Sequence, residues 1–170
     1  MPLTLREARP TDRDAIVDVT LAAYQEYATQ VPFWNAYREN ILATITNPRP
    51  AAQLVADLDG TIVGTVLLYP APPPGATIAP GQGRWPEVRL LAVAPSARGK
   101  GVALALMQEC VRRAREAKSD ALTLHTMSAM QSALRLYMRM GFQPAPELNF
   151  QPVPNFTVNG YRLTLGPPIE

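Results

Sequence analysis

The 170-residue sequence predicts an α/β fold in one domain, residues 1–170. Three observations carry that prediction. Short apolar or alternating runs interleave with longer runs of helical period, so strands and helices follow one another along the chain. A composition of 47% hydrophobic and 18% charged residues is ordinary for a globular chain, and this length suffices for one sizeable core. No internal repeat and no second core-forming block breaks the pattern.

Taken in order, Leu3–Glu7 alternates and reads as a strand, and Thr11-x-x-Asp14 has the form of a capping box. The helix it opens carries Ile16, Val19, Ala23 and Tyr27 on one side. A second helix over 33–46 has Trp34, Tyr37, Ile41, Leu42 and Ile45 as its stripe and cannot continue through Pro48 and Pro50. Strands over 53–58 and 61–69 flank Asp59-Gly60, a pair suited to the positive backbone angles of a two-residue turn, and predict a hairpin. Six prolines and three glycines then make 70–86 a loop, long for an internal connection and placed to serve as a lid. A strand over 88–93 leads to a helix whose stripe is Ala103, Leu106, Met107, Cys110, Ala114 and Ala117. After a strand over 122–126 comes a short helix with Ala133, Leu136, Tyr137 and Met140 on one side, opened by Ser128 and Gln131 and stopped by Gly141. A proline-rich loop over 144–159 precedes a last strand over 161–165.

Between the strand 88–93 and its helix lies Arg98-Gly99-Lys100-Gly101-Val102-Ala103, a basic glycine-rich loop. The first amides of a helix have no intrahelical acceptor and carry the positive end of its dipole, so a polyphosphate can rest on them where no side chain intervenes. Gly99, Gly101 and Ala103 supply that clearance, while Arg98 and Lys100 add charge. A Walker loop would continue with Gly-Lys-Ser/Thr, and here Val102 and Ala103 follow Gly101. A dinucleotide fingerprint would place a third glycine where Leu104 stands. A plain strand-to-helix turn, with glycines for geometry alone, stays open on this segment taken by itself.

The loop matches R/Q-x-x-G-x-G/A, and Ala133-Leu134-Arg135-Leu136-Tyr137-Met138-Arg139-Met140-Gly141-Phe142 matches A-x-x-L-Y-x-x-x-G-F. On these two motifs, which lie within 87–142, the sequence resembles the GNAT family of N-acetyltransferases. One family position departs, since Met130 stands where the family often has Asn. The resemblance implies a central mixed, mostly antiparallel twisted sheet of about six to seven strands flanked by about four helices. It implies acetyl-CoA as cosubstrate, held by Leu91, Ala92 and Val93 on the strand and by Arg98, Gly99, Lys100, Gly101, Val102 and Ala103 in the loop. The implied reaction is transfer of the acetyl group to a primary amine of a small molecule or of a protein N-terminus or lysine, by direct attack in a ternary complex. Dimers are common in the family, so a homodimer is compatible with the resemblance.

Thioester aminolysis needs an unprotonated amine, and a lysine-like ammonium has a pKa of about 10, so a base is required. The resemblance places a catalytic glutamate at Glu87, and puts His125 where some protein N-terminal acetyltransferases carry theirs. His125 is the only histidine, and an imidazole titrates in the right range; a hydrogen-bonded structural histidine is the competing reading. Tyr137 matches the family tyrosine that protonates the departing thiolate, and it also lies on a helix stripe as a core aromatic would. The backbone N–H of Val93 is the expected donor to the developing oxyanion. Trp34 and Tyr37 stand in a region that borders the acceptor pocket in this family, on a stripe that equally reads as core. A chain that binds acyl-CoA without turnover, as a sensor or silent partner, also fits the loop.

A net charge of +2 with basic residues spread over helix faces selects neither nucleic acid nor a membrane surface as partner. The lone Cys110 has no internal disulfide partner and falls on an apolar stripe, which suits a reducing compartment. With no spanning-length apolar stretch and no signal-peptide form at Met1 to Glu7, a cytoplasmic location is expected, and no metal site.

Overall fold

A computed structural model describes residues 2–166. It is an α/β fold with an eight-stranded mixed, mostly antiparallel sheet and four helices. The elements are β1 (Leu3–Glu7), α1 (Arg13–Tyr24), α2 (Trp34–Thr46), β2 (Ala52–Leu58), β3 (Thr61–Tyr69), β4 (Glu87–Val93), α3 (Val102–Glu116), β5 (Ala121–Thr126), α4 (Gln131–Met140), β6 (Gln143–Pro144), β7 (Phe150–Val153) and β8 (Phe156–Thr164). Strand order is β1-β2-β3-β4-β5-β8-β6, with β7 paired to β8. The chain sorts into two compact units, one from the segment ending at Leu68 together with Leu90–Cys110, the other from Tyr69–Arg89 and the segment from Val111 onward.

In the first unit β1 pairs antiparallel with β2, and β2 with β3 through Asp59-Gly60, whose φ values of 53° and 85° are those the hairpin requires. The Gly60 amide donates to the Asp57 carboxylate at 2.7 Å and closes the turn. The capping box ahead of α1 is not the expected Thr11-x-x-Asp14 but Arg9-x-x-Asp12. Asp12 takes the role, accepting the Arg9 amide at 2.7 Å while also holding the Arg6 guanidinium at 2.7 and 3.1 Å. Pro10 starts a 3-10 turn one step earlier, which shifts the cap by two residues. Ile41, Leu54, Val55, Val66 and Leu106 are fully buried and form this unit's core.

In the second unit β5 lies parallel to the first residues of β4, with Glu87 opposite Thr123 and Val88 opposite Leu124. On its other side β5 is antiparallel to β8. Gly141 ends α4 with φ 102°, as expected, but the residue at the N-cap is Met130 rather than Ser128. The buried positions of α3 include Val102 and Val111 where the periodicity had Ala103 and Ala117; Ala117 lies beyond the last turn and is exposed.

The expected loop over 144–159 is corrected. It holds β6, β7 and the start of β8, which raise the strand number to eight. Pro152 is tolerated because β7 pairs only with β8 and so needs no amide on its outer side. The pair Pro154-Asn155, with Asn155 at φ 65°, forms a two-residue turn that brings Val153 opposite Phe156. The 70–86 segment carries no regular element, and two of its three glycines, Gly81 and Gly83, lie against Phe150 and Leu148. A Cβ on Gly81 would lie 2.5 Å from the Phe150 ring, and one on Gly83 3.3 Å from Leu148.

Candidate active site

In the first unit, the Ala94 amide donates to the Val63 carbonyl at 2.8 Å and ties the end of β4 to β3. A 3-10 turn over Pro95–Ala97 then delivers Arg98 in an extended conformation. Gly99 and Gly101 both have φ 77°, a left-handed backbone that any side chain would strain. A Cβ at either would meet no protein atom within 4 Å, so their small size serves open space above the loop rather than packing beneath it. That space adjoins the first turn of α3, so the loop fits an anion carried on backbone amides. Gly64, which the sequence did not mark, sets the helix's height. An added Cβ there would stand 2.7 Å from Val102 and 3.0 Å from Leu106, so only glycine lets α3 approach β3 this closely.

On β4, Leu90 has φ 53°, in a region leucine occupies only under constraint. Alternation fails there: Leu90 and Leu91 are both half-buried, and the strand re-aims Leu91, Ala92 and Val93. No sequence signal announces this. The Leu91 carbonyl accepts the Tyr24 hydroxyl at 3.1 Å. Tyr24 belongs to an aromatic cluster, its ring centroid 6.0 Å from Tyr27 and 6.3 Å from Tyr37, with Trp34 and Phe33 at 6.1 and 5.9 Å from Tyr37. Trp34 and Tyr37 are therefore in ring contact, half-buried, and burial, helped by Tyr27, pushes the Tyr37 hydroxyl up to about 12. Glu26, from the same segment, grips Arg98 with both carboxylate oxygens at 2.9 and 3.1 Å.

In the second unit, Glu87 and His125 meet. The register that sets Glu87 opposite Thr123 places His125 two residues further along the same face of β5, a diagonal that long side chains bridge. His125 Nδ1 lies 2.7 Å from Glu87 Oε1, and His125 Nε2 lies 2.9 Å from the Leu148 carbonyl. Arg89, two residues along β4, donates to Glu87 Oε2 at 2.9 Å while its guanidinium sits 4.6 Å over the Tyr69 ring. A carbonyl can only accept, so Nε2 carries a hydrogen and one further proton is shared between Nδ1 and the carboxylate. Burial works to raise the Glu87 carboxyl, but the hydrogen bonds from His125 and Arg89 outweigh it and hold it below the usual carboxylate range. Burial likewise works to lower His125, and Glu87 together with the Leu148 and Gly81 carbonyls outweighs that and raises it. Both directions describe an imidazolium and a carboxylate.

Tyr137 is buried on α4, its ring centroid 5.8 Å from Phe142. Sequence reasoning missed Gly64, the left-handed Leu90, and the pairings of Arg89 with Glu87 and of Glu26 with Arg98. Among the described residues no group of three or more His, Cys, Asp and Glu side chains could hold a metal ion, and no helix is long and apolar enough to cross a membrane.

The model of the acetyltransferase (GNAT) family matches residues 13–142. An uncharacterised N-acetyltransferase of Schizosaccharomyces pombe is 25% identical over 148 residues, which is 86% of this chain and 85% of the relative. A GNAT family acetyltransferase of Brucella melitensis, crystallised with acetyl-CoA, shares the fold with a TM-score of 0.66 and 23% identity over 99% of this chain and 92% of that one. A GNAT family acetyltransferase of Staphylococcus aureus does so with a TM-score of 0.71 and 15% identity over 97% and 100%.

Proposed function

This chain belongs to the acetyltransferase (GNAT) family, whose cosubstrate is acetyl-CoA, and we propose that it transfers the acetyl group to a primary amine by direct attack in a ternary complex. The observation that carries this reading is the pair formed by the buried Glu87 and the half-buried His125. With both imidazole nitrogens facing acceptors, His125 has no lone pair to offer. The carboxylate is the proton acceptor, and His125 is its positioning residue.

When bound, acetyl-CoA supplies an activated acyl carbon and a thiolate leaving group. Gly99, Gly101 and the first amides of α3 receive its diphosphate, with Arg98 and Lys100 adding charge and no side chain in the way. The peptide groups of Leu91, Ala92 and Val93 bind the pantetheine arm in the manner of an added strand. Glu87, directly or through water, takes the proton from the ammonium, and the freed nitrogen attacks the acetyl carbon. The Val93 N–H donates to the carbonyl oxygen as it gains charge. As the carbon–sulfur bond breaks, Tyr137 gives its hydroxyl proton to the leaving thiolate, and the second proton that the attacking nitrogen sheds on becoming an amide restores the tyrosine hydroxyl. Trp34 and Tyr37 border the acceptor.

The test is thiol release from acetyl-CoA over a panel of amines and peptide amino termini, with Glu87→Gln and Tyr137→Phe beside the parent. Each variant is expected to lose about 10²- to 10⁴-fold in kcat. CoA affinity by calorimetry should stay within about threefold. Binding of acetyl-CoA with no amine turned over would assign the chain to silent acyl-CoA binding, and no binding at all would overturn the cofactor assignment.

A further inference from the structure

The carboxylate of Glu26 and the guanidinium of Arg98 come from positions 72 residues apart and meet in a two-point geometry, at 2.9 and 3.1 Å, with both side chains roughly half exposed. A two-point arginine–carboxylate contact is the geometry in which a surface ion pair counts for most, and more so where the carboxylate is held in place. Glu26 is fixed. It sits in a 3-10 turn, Gln25–Tyr27, between Tyr24, whose hydroxyl reaches the Leu91 carbonyl, and Tyr27, whose ring packs edge-on against Tyr24. The Arg98 guanidinium, working against burial and joined by the Tyr27 hydroxyl, holds the Glu26 carboxyl below its usual range. Arg98 is thus occupied by an internal anion at the edge of the loop that is open above Gly99 and Gly101.

We propose that Glu26 is a counter-ion that the cofactor must displace: it holds Arg98 in the unliganded protein, gives it up to the incoming diphosphate, and so leaves its own carboxylate to a cationic acceptor only after the cofactor is in place. This rests on the reading of Arg98 as a diphosphate ligand. Two anions compete for one guanidinium, and the diphosphate wins because it also collects the loop amides, which Glu26 does not. A carboxylate left beside a bound diphosphate is destabilised by like charge until a cation neutralises it. An amine-bearing acceptor is such a cation, so the exchange makes acceptor binding favourable after cofactor binding and not before. Glu26 acts as a positioning and ordering residue. It touches no reacting atom.

Calorimetric titration with CoA of the parent, Glu26→Gln, Arg98→Gln and the double variant tests this. Glu26→Gln removes the competitor and a like charge, and is expected to tighten CoA binding by up to about fivefold, the range of an exposed ion pair. Arg98→Gln should weaken it. In the Arg98→Gln background the Glu26→Gln change should have less than half its effect on affinity. Unchanged or weaker CoA binding by Glu26→Gln would overturn the proposal, since it would make Glu26 a support for Arg98 rather than its competitor. An equal gain with and without Arg98 would also overturn it, reducing Glu26 to a diffuse charge. If the parent itself fails to bind CoA, the cofactor reading falls first, so the two failures are distinguishable. A second readout is kinetic: with an amine accepted in the panel above, the parent should follow an ordered mechanism with acetyl-CoA first, and Glu26→Gln should relax that order while raising the amine KM more than it lowers kcat.

Discussion

Replacing His125 by Asn keeps a donor near Glu87 Oε1 and removes the positive charge, while His125→Ala removes both. The side chains of Glu87 and His125 are only 9% and 13% exposed, so solvent screens their interaction little. A hydrogen bond to a charged partner contributes about 1.5–3 kcal/mol, so the Ala variant loses about that much of what favours the carboxylate and the Glu87 carboxyl should rise. Asn should give a smaller rise, because Arg89 and the retained donor still favour the carboxylate. Stability follows from the signs. Glu87 is depressed from 4.5, so its contribution is present above that value and is lost as pH falls through the folded-state value. His125 is raised from 6.5, so its contribution is complete below 6.5 and is lost as pH rises through the folded-state value. The parent's advantage over His125→Ala in urea unfolding should therefore be greatest between 4.5 and 6.5 and shrink on the alkaline side. Carbon-13 carboxyl NMR of Glu87 and the acidic limb of the kcat/KM profile supply the direct readouts. If neither the carboxyl titration nor that limb moves in His125→Ala, the pair does not control the ionisation of Glu87 and the argument for its role fails.

Two further outcomes are expected. Gly64→Ala drives a methyl to 2.7 Å from Val102, so it should cost about 1–3 kcal/mol in urea unfolding and weaken CoA binding, with Val102→Ala in the same chain restoring most of both. Gly99→Ala meets no protein atom, so its stability cost is limited to about 1–2 kcal/mol of backbone strain at φ 77°, yet CoA affinity by calorimetry should fall about tenfold or more because the methyl enters the anion's space.

Local chemistry made much of this chain readable. The Asp59-Gly60 hairpin, the Gly141 helix stop, the order of strands and helices and the glycine loop at 99–101 each depend on a few adjacent residues whose backbone preferences are intrinsic, and the structure keeps them all. Where local rules competed, reading failed. The prolines of 144–159 suggested a loop, although Pro154-Asn155 is a turn signal and an edge strand needs no amide on its outer side. The cap at Asp12 was obscured because Pro10 inserts a 3-10 turn ahead of α1.

The residues that give the site its character were set by register and close approach. Glu87 and His125 stand 38 positions apart, and only the parallel pairing of Glu87 with Thr123 brings them onto one diagonal. Arg98 finds Glu26 across 72 positions, Gly64 is required by a helix that the chain has not yet formed when it is read, and Leu90 adopts a conformation that leucine itself disfavours. Periodicity and turn chemistry act over a few bonds, so the sequence alone determined most of the elements and the backbone shape of the glycine loop at 99–101. Charge pairing, proton sharing and strain arise from contacts between distant segments, and only the folded chain decides those.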